Sequence, residues 1–234
     1  MLNSTILLKV KQRLNKLDSQ DYDNIQPWMI VEAFNKGQVD WCRRNLHGLN
    51  ILKEGDEQST RRIDDLQPLL VTINLNTVER PIFFETDPLP DNYMQWKRIS
   101  CKASDKCCPD PRPMMLYLAE VANVDELLRD ENKKPSLEWA ESFVTMQGNK
   151  ILIYTNGEFV IKEPKLTYYR QPIRIEIAGV KDPYTGIVPT VNVESEFKDD
   201  LVELLIDECA KIIAGDIESM NQLQREQQAT ESNN

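Results

Sequence analysis

The chain has 234 residues, 41% of them hydrophobic and 28% charged, with a formal net charge of −10. That length is enough for one domain or two small ones around a hydrophobic core, and no run of about 18 apolar residues offers a membrane-spanning helix. An acidic balance argues against gripping nucleic acid by its phosphates, which needs clustered Lys and Arg.

Residues Met1–Leu8 turn apolar before the first charge at Lys9, the reverse of a secretory signal, so synthesis in a cytosol is expected. The five cysteines, Cys42, Cys101, Cys107, Cys108 and Cys209, are odd in number and irregularly spaced, unlike a disulfide framework. Cys101, Cys107 and Cys108 invite a zinc reading, but a zinc site usually needs four ligands and the single histidine, His47, is far away in sequence. Reduced thiols with no metal are the expectation.

Taken in chain order, Ser4–Leu17 carries Ile6, Leu7, Val10, Leu14 and Leu17 at intervals of three and four, a helical face with Ser4 as its N-cap. After a polar turn, Pro27 opens a second helix along Trp28, Val31, Phe34, Gln38 and Trp41, ended by Gly48. A third helix is predicted within Asp56–Leu66. From Leu69 the period becomes two, with Val71, Ile73 and Leu75 alternating as in a half-buried strand. Further strands are predicted at Pro81–Glu85, Tyr93–Lys102, Pro113–Leu118, Leu137–Met146 and Ile151–Tyr154, with a short helix at Val124–Asn132. Thr155-Asn156-Gly157-Glu158 predicts a type I′ hairpin returning through Phe159–Ile161, with Leu166–Arg170 and Ile173–Ile177 closing an antiparallel sheet.

Ala178–Val193 is a long connection for a compact domain, with a turn at Asp182-Pro183-Tyr184-Thr185-Gly186. It reads either as an ordinary surface loop or as an arm that reaches a neighbouring copy through Asp182, Tyr184, Ile187 and Val191, adding a strand there. The last element, within 194–226, keeps helical spacing through Phe197, Leu201, Leu204, Leu205, Ile212, Ile213, Ile217, Met220 and Leu223, interrupted at Gly215. Residues 227–234 form a polar tail.

Twelve of the thirteen prolines lie from Pro68 to Pro189, which points to helical ends around a strand-rich middle. The expected fold class is therefore α+β. Residues 1–68 hold the N-terminal helices and 69–193 an antiparallel β region with a short helix and the arm. The long C-terminal helix, 194–226, packs on the N-terminal helices as a bundle.

No phosphate loop, dinucleotide fingerprint or zinc-protease motif occurs, and His47 beside Gly48 reads as a helix-end histidine. No catalytic or cofactor-binding residue is predicted. Asp64-Asp65, Asp199-Asp200 and Asp207-Glu208 raise a two-metal or glycosidase reading, but neighbours on a helix do not share a face. Tyr168-Tyr169 and Trp139 read as core or interface residues within strands. Asp200, Glu203 and Asp207 do recur at helical spacing and read as a solvated helix face. Turned into the lumen of a ring, that face would repel DNA phosphates and let a duplex slide.

Charge is also divided along the chain. Lys9, Lys11, Arg13 and Lys16 stand without an acid in residues 1–17, whereas 194–226 holds ten acids against Lys198, Lys211 and Arg225. Opposite ends of this kind would attract adjacent copies.

Two stretches carry a resemblance. One runs from Leu14-Asn15-Lys16-Leu17-Asp18 through Asp21-Tyr22-Asp23-Asn24-Ile25 to Ile30–Lys36 and Arg43-Arg44-Asn45-Leu46-His47-Gly48. The other runs from Glu196-Phe197-Lys198-Asp199-Asp200 to Ala214-Gly215-Asp216-Ile217-Glu218-Ser219. With Asp182-Pro183-Tyr184-Thr185-Gly186 between them, they resemble the neck-ring proteins of crAss-like phages, short-tailed bacteriophages of gut Bacteroidales. More distantly, the layout is similar to the head-to-tail adaptors of short-tailed phages, which combine a helical bundle with an antiparallel sheet.

The resemblance implies a non-enzymatic ring protein, twelvefold in that family, between portal and tail. It would sit at the neck of the virion, be assembled in the host bacterial cytoplasm, and extend the DNA channel for genome retention and ejection. Its partners would be further copies of itself, the portal protein and other neck or tail rings. Double-stranded DNA would pass through without specific binding, and no membrane is involved. By the same analogy Met220–Asn234, with Met220, Leu223, Arg225 and Asn234, would dock on the portal. A different ring of the same stack, contacting tail proteins, is the alternative reading. A metal-dependent nuclease or DNA-binding regulator is the alternative of another class.

Overall fold

The structure, a computed structural model, describes residues 1–15, 25–47, 64–105 and 110–216. In chain order these form α1 (Asn3–Asn15) and α2 (Pro27–His47), then β1 (Leu70–Asn74), β2 (Thr77–Glu79), β3 (Phe83–Thr86), β4 (Tyr93–Asp105) and β5 (Arg112–Leu118). They continue with α3 (Val124–Arg129), β6 (Glu141–Gln147), β7 (Lys150–Tyr154), β8 (Phe159–Arg170) and α4 (Asp199–Asp216). The fold is α+β, and the chain divides into two compact units. A helical unit takes 1–68 and 172–234, and a β unit, Leu69–Gln171, is inserted between its two parts.

In the helical unit, α4 packs on both α1 and α2. Ile6, Val10 and Leu14 give α1 a stripe at intervals of four, all buried. The helix begins at Asn3, with the amide N–H groups of Thr5 and Ile6 donating to the Leu2 carbonyl, so Ser4 lies inside it rather than capping it. Pro27 occupies the first helical position, where its missing N–H costs nothing.

The buried side of α2 is rotated from the predicted one. Ile30, Ala33, Phe34, Gln38 and Cys42 are buried, while Trp28, Val31 and Trp41 are only partly so. Small residues at Ala33 and Gly37 let α4 approach on that side, and the tryptophans pack at its margin, Trp41 edge-on to Phe197 at 5.8 Å. On α4 the buried set is Leu201, Val202, Leu205, Ile206, Cys209, Ala210, Ile213 and Ala214. That stripe is wide enough to cover two neighbours. Of the helix predicted within Asp56–Leu66, only Asp64–Leu66 falls in the described residues, and it is helical.

The β unit is one eight-stranded sheet in the order β1-β8-β4-β5-β6-β7-β3-β2. Its two edge strands, β1 and β2, are consecutive in sequence and joined only by Leu75 and Asn76. In a flat sheet those edges would stand about 34 Å apart, whereas three Cα steps reach about 11 Å. The sheet must therefore curl until its edges approach. Its concave face holds one core of Leu75, Phe84, Leu89, Ile99, Cys101, Ala103, Met114, Val144, Ile151, Ile153, Phe159, Ile161, Leu166 and Tyr168. The opposite parity of β6 and β7 presents Phe143, Leu152 and Tyr154 to Val124, Leu127 and Leu128 of α3, which covers that part of the convex face.

Several strand expectations change. Asn156 and Gly157 do take positive φ, 51° and 74°, yet β7 and β8 are not partners, because β4, β5 and β6 lie between them. The amide N–H groups of Thr155 and Asn156 donate to the Ile82 carbonyl, which fixes the turn to the loop before β3 instead of closing a hairpin. The sheet is also mixed: β5 and β6 run parallel, joined by the crossover through α3 that a parallel pair requires. Finally, the strands predicted at Phe159–Ile161 and Leu166–Arg170 form one strand, β8, while Ile173–Ile177 adds none to the sheet and belongs to the helical unit. An irregularity between Lys162 and Lys165, with Glu163 at φ 49°, lets β8 stay paired to β4 along its length. Leu137–Ala140 is a turn and β6 starts at Glu141.

Candidate interaction surfaces

The connection 178–193 is an ordered, hairpin-like segment within the helical unit. Glu176 and Val193 exchange both backbone hydrogen bonds, at 3.0 and 2.9 Å. The amide N–H of Gly179 then donates to the Pro189 carbonyl at 3.0 Å, and that of Asp182 to the Ile187 carbonyl at 2.9 Å. Buried side chains clamp the base. Asn3 donates through Nδ2 to the carbonyls of Glu176 and Val193, at 2.8 and 2.9 Å. Asn35 mimics a peptide group toward Ile175, accepting its N–H at 2.8 Å and donating to its carbonyl at 3.2 Å.

Asp182 organises the tip. Its carboxylate accepts from the Tyr184 N–H at 2.8 Å and from the Thr185 hydroxyl at 2.8 Å, an Asx turn. Those bonds, the Tyr184 amide first, hold the carboxyl below the usual aspartate range. Three of the four predicted arm residues are apolar and open to solvent: Tyr184 is 78% exposed, Ile187 64% and Val191 69%, with Val188 beside them. The predicted arm residues therefore lie together on one ordered projection. Between the arm and α2 is a cavity of about 270 Å³, lined by Trp28, Val31, Arg174, Val180, Tyr184 and Ile187 among others. Trp28 meets Tyr184 edge-on at 6.4 Å.

Asp200, Glu203 and Asp207 lie on α4 as their spacing predicts, but they do not form one open acidic face. Glu203 pairs with Lys9 and, at 3.2 Å, with Arg13; Asp207 also pairs with Arg13. Asp200 is exposed. The reason is the packing of α1 on α4, which sets the basic N-terminal helix against the acidic one. Opposite charges expected to draw separate copies together thus meet within a single chain. Burial raises the Asp207 carboxyl above its ordinary value, Arg13 opposes that shift, and neighbouring Glu203 adds to it. On the far side of α4, buried Glu208 binds Arg44 at 2.5 Å.

Cys42, Cys101 and Cys209 are buried free thiols. Desolvation pushes Cys42 and Cys101 up to about 12 and raises Cys209 as well, so all three stay protonated at neutral pH. Among the described residues no three His, Cys, Asp or Glu side chains are placed to share a metal. Met220, Leu223, Arg225, Asn234, Cys107, Cys108 and Gly48 lie outside the described residues. Tyr168 and Tyr169 are buried in β8, whereas Trp139 sits in the turn before β6 and is 78% exposed. Sequence periodicity misses that exposure because Leu137–Met146 reads as one continuous strand. Comparison of the chain with protein-family models and with curated proteins finds no match.

Proposed function

We propose that this chain is a structural, non-enzymatic virion protein that forms a ring between portal and tail and extends the DNA channel for genome retention and ejection. Twelve copies is the number the resemblance implies. The α+β fold, with a mixed sheet inserted in sequence between the two parts of the helical unit, is compatible with that reading at the level of fold class alone. The observation that carries the reading is the arm. Its base is clamped by Asn3 and Asn35, while Tyr184, Ile187, Val188 and Val191 project into solvent. Ordered apolar groups that are exposed among the described residues are what a contact between copies uses, and a closed ring needs such a surface on every copy.

The residue roles follow from that reading. Asp182, Tyr184, Ile187 and Val191 reach the next copy; Met220, Leu223, Arg225 and Asn234 meet the portal; Asp200 is the carboxylate of the α4 set best placed to face passing DNA. The test is light scattering of the purified chain, alone and mixed with its phage's portal protein. A large complex in the mixture, lost when Tyr184, Ile187 and Val191 are changed to Asp, is the expected result. A chain that stays monomeric with portal and tail proteins alike, or an arm variant that assembles unchanged, would overturn it.

A further inference from the structure

The cavity of about 270 Å³ between the arm and α2 has a corner made of two aromatic rings. Trp28 and Tyr184 both line it, with ring planes at 88° and centroids 6.4 Å apart. Each ring is set by its own element. Pro27 opens α2 and so places Trp28 in the first turn. Tyr184 is set by the Asx turn, in which its own N–H and the Thr185 hydroxyl both donate to the Asp182 carboxylate at 2.8 Å. The corner therefore stands in the unliganded chain.

Charge around it is uneven. Among the described residues the walls hold three carboxylates, Glu32, Glu176 and Asp182, against one cation, Arg174. Two negative charges are left over. Arg174 donates to Glu32 at 2.7 Å, in a pair whose side chains are 65% and 47% exposed. A pair that open to solvent is worth little, so a second cation can displace or accompany Arg174. Asp182 is held in its ionised form by the Tyr184 amide, then the Thr185 hydroxyl, and in smaller part by the charge of Arg174.

The other walls are largely apolar. Two aromatic faces at right angles, apolar walls and an excess of carboxylate are the surroundings that hold alkylated ammonium groups. Their methyls pack on the rings while their charge is drawn to the ring faces. The volume suits a small group, since a cavity of about 150 Å³ already holds a benzene molecule, and pockets for drug-sized ligands begin near about 300 Å³. A second cavity, of about 170 Å³, borders the same two rings but has Lys36 in its wall, and that charge repels a cation.

We propose that the corner between Trp28 and Tyr184 binds a quaternary ammonium group, with Glu32 and Asp182 as its counter-charges. The site lies within the helical unit of one chain and needs no second copy, so its failure would leave the ring reading where it stands.

The experiment is titration of the whole chain with choline, followed by nuclear magnetic resonance of the indole N–H groups of its four tryptophans. Trp28→Phe identifies the Trp28 signal. That signal should shift and saturate with a Kd of about 1 mM, a strength open to so small a ligand. The carbon isostere of choline, with a tert-butyl group in place of the trimethylammonium, should bind about fivefold more weakly; this comparison needs no variant. Tyr184→Leu keeps an exposed position apolar but removes the ring, and should weaken choline by about the same factor. Glu32→Gln should weaken it too. Arg174→Gln releases Glu32 and Asp182 and should tighten binding roughly two- to fivefold, which damage to folding would not do. A peptide carrying trimethyllysine, set against its unmethylated form, separates a group borne on a protein from a free small cation, and binding of either methylated probe supports the site. A Trp28 signal unmoved by both probes, an isostere that binds as tightly as choline, or weaker binding by Arg174→Gln overturns the proposal.

Discussion

Gly37 gives the sharpest test of how the helical unit is packed. It lies mid-way along α2, facing α4, and a methyl group built there would meet Glu208 Cγ at 3.6 Å and Ile212 Cδ1 at 3.7 Å. Those are ordinary van der Waals separations, so the site accepts alanine without movement. Gly37→Ala removes a helix-interior penalty of about 1 kcal/mol, and the buried methyl adds a fraction of the roughly 0.8 kcal/mol of a methylene. Stability should rise by about 1–1.5 kcal/mol, or roughly 2–6 °C in Tm for a chain of this size. Gly37→Leu, which forces three more carbons into the same gap, should instead cost about 1–3 kcal/mol. Urea titration followed by helical circular dichroism, with a thermal melt, measures both. An alanine variant no more stable than the unmodified chain would refute the spacing between α2 and α4 described above.

Two further outcomes are expected. Asn35→Leu strands the N–H and carbonyl of buried Ile175, and should cost about 2–4 kcal/mol; hydrogen exchange at the Ile175 amide should quicken with it, and an unchanged rate would mean that Asn35 does not hold the arm's base. Asp207 tests the α1–α4 charges. Its folded-state pKa is raised above the ordinary 3.8, so the ionised form is disfavoured in the fold, and that penalty fades as pH falls through the raised value. The unmodified chain should therefore gain stability relative to Asp207→Asn between neutrality and about pH 4, measured by urea titration at each pH; a relative loss over that window would show that Arg13 outweighs burial.

Legibility in the sequence follows the range of the interaction. Pro27, the period of α1 and the period of α4 are local signals, and the described helices Asn3–Asn15, Pro27–His47 and Asp199–Asp216 overlap the expected spans, whose remainders at 16–17 and 217–226 lie outside the described residues. Which side of α2 is buried was not local: Trp28 and Trp41 outweigh Ala33 and Gly37 in any count of apolar residues, yet small residues admit α4. The Asn156-Gly157 turn shows the same limit. Its backbone is set by two residues, but the partner of β7 is set by β6 and β3, 65 or more positions from some of their neighbours in the sheet, and by the Ile82 carbonyl that captures the turn. The run Arg112–Leu118 is apolar at nearly every position, so its alternation of buried Met114 and exposed Met115 is hidden until its strand partners are known. The arm is legible as a long connection, and Asp182 as its turn residue; the clamps from Asn3 and Asn35 are contacts across more than a hundred residues that no local pattern encodes.

Pairing of the chain's ends within one molecule also changes where contacts between copies must be sought. Lys9 and Arg13 are held by Glu203 and Asp207 in the same helical unit, so their charges are largely cancelled at the distance of a neighbouring copy. What remains for such a contact, among the described residues of that unit, is the exposed apolar set Tyr184, Ile187, Val188 and Val191. In the proposed contact, burial of these side chains gains from removing apolar surface from water and is insensitive to salt, whereas attraction between opposite charges is screened within about 10 Å at 0.1 M. Assembly held by the arm should therefore persist at high ionic strength, and dissociation of the complex by salt would show that charges between copies carry it instead.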